Sequence, residues 1–557
     1  MAQSKTSELV LLPLGGIGEI GMNMYLYGLG PEHKRQWLMV DIGITFPDER
    51  EPGVDVILPD ITFIEEERKN LSGILITHAH EDHYGALMDL WPQLRVPVYA
   101  TGFSLALLKA KMNDYNFAEE IELNKVEQGA RFDIGPFDVE LVPMAHSIPE
   151  TNGIIIRTEQ GTVFHSGDWK LDEEPGVGKT TDETRLQALG QEGVDVLVCD
   201  STNAMTEGFS QSEGDVARGF VEVFKSCKNR IAVTTFSSNV ARIKAIADAA
   251  KANERHLVVV GRALQRVILA AQETGHLPKN FEMLSDEDFG YLPRERVVVL
   301  CTGSQGEPRA AMSRIAQDTH PQISLAKGDT IIFSARTIPG NEKGVLKIQN
   351  AFAARGLNVI TDKEAMVHVS GHPRRGELQQ MYDWIKPQAL IPMHGEDLHL
   401  QAHAQFAKSC GIQRVVQPKN GKIIRLLPEE VEIIDEAPVG RLFRDGDLII
   451  SEDDPSIQER RKLSFTGIVT VAIVLSKTGE LISEPIIEIV GIPEEDGDGT
   501  YVEDIIFDEV MGVVESIPRP RRKDADLVSE AVRRGARSAV RQVWNKKPVC
   551  SVLVNVV

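Results

Sequence analysis

Four potential metal ligands fall within six positions of this chain. They are His78, His80, Asp82 and His83, in the pattern H-x-H-x-D-H, directly after the apolar stretch 72–76. Side chains of an extended segment repeat every two residues, so His78 and His80 point to the same side. A turn into helix after them would bring Asp82 and His83 alongside but aim them at a second point. One cation could not easily take all four. Two neighbouring cations could, and a metal pair that clamps attacking and leaving oxygens suits hydrolysis of a phosphodiester. Three histidines and an aspartate at this spacing seldom form a plain polar turn.

A dinuclear centre needs further donors. His146 ends the run 139–145, Asp168 follows 162–167, and His394 follows 389–393. Each stands after a short apolar, strand-like run, where an α/β sheet presents its functional side chains. Asp168 is the natural bridge, because a carboxylate can give one oxygen to each cation. No cysteine takes part, so the donors are nitrogen and oxygen, which suits zinc first and manganese second.

Together these residues resemble the motifs of the metallo-β-lactamase superfamily. Asp41, after 37–40, matches the first motif, which orients the histidine loop from behind. The H-x-H-x-D-H run matches the second, His146 the third, Asp168 the fourth and His394 the last. The resemblance implies that His78, His80 and His146 hold one metal and that Asp82, His83 and His394 hold the other. Asp168 would bridge them, and a hydroxide between the two would be the nucleophile. The superfamily also contains thioesterases, lactonases and redox proteins, so its fold alone does not fix a substrate.

Three more segments narrow the choice. The run 194–202, with Asp200 at its end, resembles motif A of the β-CASP nucleases; Val367 to His372 resembles motif B, and 392–396 around His394 resembles motif C. In that group a histidine at motif C goes with members acting on RNA. Length, motif spacing and a further C-terminal segment make the chain most similar, end to end, to the bacterial ribonuclease J family. The implied fold class is α/β: a metallo-β-lactamase αββα sandwich interrupted by an α/β β-CASP domain, plus a small C-terminal α+β domain. The implied activity is 5′-to-3′ exonuclease and endonuclease cleavage in RNA maturation and decay, covering rRNA processing and mRNA decay. The implied partners are RNA with a preferred 5′-monophosphate end, further copies of the chain in a homodimer or homotetramer, and proteins of an RNA-degradation complex.

Chemistry also asks for an acid, since breaking a P–O bond leaves an alkoxide that must be protonated. His372 and Asp200 are the candidates, and the resemblance gives the proton roles to this pair without saying which donates. Asp200 could also be an acid capping the next helix. The loop His368, Val369, Ser370, Gly371 and His372 combines a hydroxyl, unhindered backbone and imidazole, good chemistry for gripping phosphate. A pocket there would favour a 5′-monophosphate over a bulkier triphosphate. Two segments resemble family loops beside the RNA channel: 235–239, with Phe236, Ser237 and Ser238, and 334–340, with Arg336. Phe236 offers a stacking face, and Arg336, Arg374 and Arg375 could pair with phosphates.

Two phosphate-loop lookalikes fail. Gly16, Gly18 and Gly21 match G-x-G-x-x-G, but 22–28 reads as a strand where the dinucleotide fingerprint requires a helix. Residues 176–181 have the tail of a P-loop, but Glu173 stands where its first glycine belongs.

The chain has 557 residues and a net charge of −22, which argues against a broad basic nucleic-acid surface but not against a local channel assisted by metals. Five scattered cysteines suit a reducing cytosol, and no signal peptide or bilayer-length apolar run is visible, so a cytoplasmic protein is expected. The ligand order places an insertion inside the catalytic domain. The expected division is 1–210 and 366–440 for the catalytic domain, 211–365 for the inserted domain, 441–465 for a linker and 466–557 for the C-terminal domain. In the last, Arg533, Arg537 and Arg541 recur along one face of a helix over 524–544, a solvated stripe or a contact for RNA or a partner. The acidic loop 46–51 is a candidate for an extra structural cation. The competing functions are a metallo-hydrolase of small esters or thioesters, and an inactive paralogue serving as an RNA-binding scaffold. The scaffold reading expects a broken ligand set, and none is broken here.

Overall fold

The computed structural model describes residues 7–113 and 115–557. It divides into two compact units, Met1–Phe46 with Ile57–Leu442, and Pro47–Val56 with Phe443–Val557.

Two sheets face each other in the first unit. The larger runs in the order Glu432–Glu436, Lys422–Leu427, Glu8–Gly15, Met24–Gly30, Gln36–Val40, Leu71–Leu75, Val98–Ala100, Leu123–Lys125. The other runs Arg414–Val415, Ala389–Met393, Val196–Asp200, Gly161–His165, Asn152–Thr158, Phe137–Pro143, Arg131–Ile134. Their inner faces share one core, in which Leu11, Tyr27, Leu38 and Leu75 meet Leu141, Ile156, Val198 and Ile391. The outer face of the second sheet is covered by Leu186, Leu189, Leu378, Met381 and Ile385 from the helices Glu183–Glu192 and Arg375–Ile385. Strands buried on both faces read as continuous apolar runs, which is why 196–199 and 389–393 show no alternation.

Between Val196–Asp200 and Ala389–Met393 the chain leaves to form a separate five-stranded parallel sheet, ordered His256–Val260, Val297–Cys301, Ile231–Thr234, Thr330–Phe333, Asn358–Ile360. It then returns so that Asp200 lies in parallel register with Met393. The glycine-rich segment 16–21 is the turn of the antiparallel hairpin Glu8–Gly15/Met24–Gly30, so no dinucleotide fold forms there. Residues 176–181 are an irregular loop tied down by Thr181, whose hydroxyl accepts from Ala145 N at 2.9 Å.

In the second unit, the strands Ile486–Val490, Ile468–Leu475 and Val549–Val556 form a sheet packed on the helices Val502–Ser516 and Ala525–Trp544. The segment expected to be a linker is ordered: it carries strands Arg441–Asp445 and Leu448–Ser451 and helix Pro455–Thr466. Its charges misled, while Asp454 capping the helix and Pro455 at its first turn are ordinary helix-start signals. The arginine stripe is partly engaged, Arg533 with Glu530 and Arg537 with the Pro548 carbonyl at 3.2 Å. In the acidic loop, Arg50 pairs with Asp48 at 2.8 Å and Glu51 accepts from Asp48 N, so two of its acids have partners within the loop. Among the described residues no helix is long and apolar enough to cross a membrane.

Candidate metal centre and its neighbours

The loops after five strands converge. His78 follows Leu71–Leu75, His146 follows Phe137–Pro143, and Asp168 follows Gly161–His165. Asp200 ends its own strand, and His394 follows Ala389–Met393. After His80 the chain turns into the short helix Glu81–Tyr84, which carries Asp82 and His83. Gly43 allows this helix to sit close, since a Cβ there would lie 1.7 Å from the Asp82 carbonyl oxygen.

Two donor sets share Asp168. In one, His78 Nε2 and His80 Nδ1 are 3.0 Å apart, and His146 Nε2 is 3.2 Å from His80 Nδ1. Asp168 Oδ2 lies 3.8 Å from His78 Nε2 and 3.6 Å from His146 Nε2. In the other, Asp82 Oδ2 is 3.3 Å from His394 Nε2 and 3.7 Å from His83 Nε2. Asp168 Oδ2 is 3.2 Å from His83 Nε2, and Oδ1 is 3.8 Å from His394 Nε2. Donors bound at zinc distances in a tetrahedron stand about 3.3 Å apart, so both sets fit a divalent cation. Asp168 Oδ1 is buried and accepts no hydrogen bond from the described residues, which leaves its lone pairs available.

Most of the rings are held by their far nitrogen, which fixes the orientation of the near one. His146 Nδ1 donates to the Gly371 carbonyl at 2.6 Å. His83 Nδ1 donates to Asp41 Oδ2 at 2.7 Å, and His394 Nδ1 to Thr202 Oγ1 at 2.7 Å. Thr77 Oγ1 donates to Asp41 at 2.8 Å and accepts from His78 Nδ1 at 2.9 Å. Burial pushes His78 and His146 well below the ordinary imidazole range and His80 down to about 4. Burial opposes charge on His83 and His394 too, but Asp168 and the neighbouring acids prevail, raising His83 and lifting His394 to about 10.

The proposed acid pair adjoins this centre. His372 Nδ1 donates to Asp200 Oδ2 at 2.7 Å and lies 3.9 Å from Asp168 Oδ2. Against burial, Asp200 and Asp168 raise His372, favouring the protonated ring. Asp200 also accepts from Thr202 N at 2.9 Å, but in a turn: the next helix, Glu213–Ser226, starts later and is capped by Ser212, so Asp200 caps no helix.

The structure sorts the remaining candidates. Ser370 Oγ accepts from Asn203 Nδ2 at 2.8 Å, keeping its own proton free to donate. Gly371 is where a side chain would strike His146: a Cβ would lie 2.7 Å from its Cε1. Val369 is buried, so only its backbone can meet a substrate. His368 Nδ1 faces Arg242 at 3.2 Å. Phe236, Ser237 and Ser238 are half-buried on the loop after Ile231–Thr234 and make no hydrogen bond to the His/Asp cluster among the described residues. Arg375 is already engaged with Glu207, the Ala204 carbonyl and the Phe406 ring, so it is a poor phosphate ligand. Arg336 is exposed and donates to Asn203 Oδ1 at 3.0 Å. Asn203, Thr202 and Thr77 escaped the sequence reading; the Ser-Thr-Asn run directly after Asp200 was the available signal.

Comparison with known proteins agrees with this geometry. Family models match in succession: the beta-lactamase superfamily domain over residues 37–235, the Ribonuclease J beta-CASP domain over 228–352, the Zn-dependent metallo-hydrolase RNA specificity domain over 356–416 and the Ribonuclease J C-terminal domain over 455–557. The chain is 51% identical to Ribonuclease J of Sinorhizobium meliloti, across 100% of this chain and 98% of that one. It is 36% identical to Ribonuclease J of Mycolicibacterium smegmatis, across 96% and 95%. A crystal structure of a protein of unknown function from Enterococcus faecalis V583 superposes with a TM-score of 0.51 at 15% identity, covering 75% of this chain and 100% of that one, a likeness of fold alone. With an intact set of donors on that fold and identity sustained over the whole length, the chain belongs to the ribonuclease J family.

Proposed function

We propose that this metal-dependent ribonuclease uses two divalent cations, zinc first and manganese second, to hydrolyse RNA from the 5′ end and internally. The observation that carries the reading is Asp168, flanked by two donor sets and 3.9 Å from the His372–Asp200 pair. His78, His80 and His146 would hold one cation and Asp82, His83 and His394 the other, with Asp168 shared and Asp41 orienting His83. When bound, the cations supply Lewis acidity and lower the pKa of water. The chain's own residues do the rest. Asp200 is fully buried while the His372 side chain is 19% exposed, so His372 is the member able to reach an RNA oxygen and hand it a proton. Asp200 keeps that ring oriented and charged. Ser370, with a free hydroxyl proton, donates to a phosphate oxygen, and the backbone of 368–371 lines the same loop. Phe236, Ser237 and Ser238 would meet RNA farther along the inserted domain.

The same reading places the protein in the cytoplasm, in keeping with five unpaired cysteines. There it would process rRNA and degrade mRNA as a homodimer or homotetramer, alone or with partners in a degradation complex. Sedimentation velocity tests the assembly. The activity is tested with two RNAs that differ only in a 5′-monophosphate or 5′-triphosphate, labelled at the end and internally. The expected result is faster release of 5′ nucleotides from the monophosphate RNA, with internal cuts in both, all lost on chelation. Equal rates with internal fragments only would leave a plain endonuclease.

A further inference from the structure

Arg242 is completely buried, on the helix Val240–Ala252 of the inserted domain. Its guanidinium grips the buried Glu213, with Nη2 donating to Oε1 at 2.8 Å and to Oε2 at 3.0 Å, and Nε donating to Oε2 at 3.1 Å. Nη1 points the other way. It donates to Ser334 Oγ at 2.6 Å, to the Val367 carbonyl at 3.2 Å and to His368 Nδ1 at 3.2 Å. Glu213 lies where the chain enters the inserted domain, and Val367 and His368 lie where it leaves. One side chain thus ties both connections together.

The far side of Glu213 continues the link. Its backbone N donates to Asp172 Oδ2 at 2.9 Å, and that carboxylate pairs with the buried Lys170 at 2.7 Å, two residues from Asp168. Downstream, the loop is anchored differently: Asn203 donates to Ser370 and to the His372 carbonyl, and Ser210 donates to that same carbonyl. At the upstream end the side chains are Arg242 and Ser334, whose hydroxyl donates to the Val367 carbonyl at 2.7 Å.

We propose that Arg242, paired with Glu213, is a positioning residue for RNA cleavage, holding the 367–372 loop so that His372 meets the scissile phosphate. It touches no substrate and no cation. Arginine has donors and no acceptor, so the two protons of Nη1 are shared among the Ser334 hydroxyl and carbonyl, the Val367 carbonyl and His368 Nδ1. His368 Nε2 is buried with no partner among the described residues. Burial, with Arg242, Arg336 and Lys170 nearby, holds His368 well below the ordinary imidazole range, so the ring stays neutral. Lysine cannot replace the fork, since a single ammonium has no planar array to span Glu213 and the loop at once.

The inference rests on the ribonuclease reading, and the parental protein is assayed alongside to separate the two: if the parent fails to cut RNA, that reading falls by itself. Arg242→Met alone would strand a buried carboxylate. The main variant is therefore the double Glu213→Leu/Arg242→Met, which removes both charges, with Arg242→Lys as a second that keeps them. Single-turnover cleavage of RNA is expected to slow on the order of 10- to 100-fold in both, with metal content unchanged and RNA affinity within about threefold. An RNA in which sulfur replaces the scissile 3′ oxygen needs no proton on its leaving group. The variants should cleave it at nearly the parental rate, which a general loss of structure would not allow. Parental cleavage of ordinary RNA by either folded variant would overturn the proposal. So would equal slowing on the oxygen- and sulfur-bridged RNAs.

Discussion

The two donor sets that meet at Asp168 are built on opposite plans. Around His78, His80 and His146 the donors are imidazoles, two of them tied back to neutral groups, a threonine hydroxyl and the Gly371 carbonyl. Burial keeps these rings uncharged. Around Asp82, His83 and His394 carboxylates crowd in, with Asp41 behind His83, and Asp200 reached from His394 through Thr202. Those two rings are pulled upward instead. The difference teaches that the centre is not two copies of one site. With three imidazoles to one carboxylate the first set suits a softer cation than the second, which has two of each, and the second is joined to Asp200 through Thr202.

The strongest way to break this contrast is to remove what both sets share. Asp168→Ala should lower RNA cleavage by on the order of 10³-fold or more and reduce metal binding in both sets. His80→Ala should also abolish cleavage, but elemental analysis should show the loss of only one of two bound cations. RNA affinity should largely survive in a filter-binding assay, and near-parental turnover by His80→Ala would refute the two-metal assignment.

Metal removal sharpens the contrast next. Chelated protein should melt at a lower temperature, and refilling at about 1,000 times the dissociation constant should restore about 4 kcal/mol per site. In a stoichiometric titration zinc should fill the histidine-rich set first, while manganese, followed by its magnetic resonance, should favour the acidic one. Identical preference at both would erase the distinction.

A smaller effect is expected one step out. Asp41→Asn should weaken the cation of the acidic set about 10- to 100-fold and its neighbour, which Asp41 reaches through Thr77 and His78, by less, as read by competition with a chromogenic chelator. Smallest is Ser370→Ala, which removes one hydrogen bond to phosphate and should slow 5′-end degradation by up to about tenfold. Internal cleavage should change less, because it needs no terminal phosphate; equal slowing of both would take Ser370 out of end recognition.

Much of this was legible in the linear chain because the donors sit at local landmarks. His78, His146, Asp168 and His394 each follow an apolar run, and the strands of the inserted domain stand out as Leu257 to Val260 and Val297 to Leu300 do. What stayed hidden depends on distant pairing. Asn203 meets Ser370 across 167 positions and Arg242 meets His368 across 126, and no spacing rule reports such contacts. Arg374 and Arg375 looked alike as phosphate ligands until folding placed Glu207 beside one of them. The 441–465 stretch was misjudged from its charge, because short strands with half-exposed faces and a polar helix carry little apolar signal.

The parallel register of Asp200 with Met393 also orders events in time. His394 meets Asp82 across 312 positions, with the whole inserted domain between them. A chain made from its N-terminus exposes His78, His80, His146 and Asp168 well before Ala389–Met393 exists to slot beside Val196–Asp200. The acidic set and the anchorage of His394 on Thr202 are therefore completed last, by closure of a very long loop. Nascent protein on the ribosome, surrounded by RNA including its own message, carries an unfinished centre until nearly three-quarters of its length has been translated.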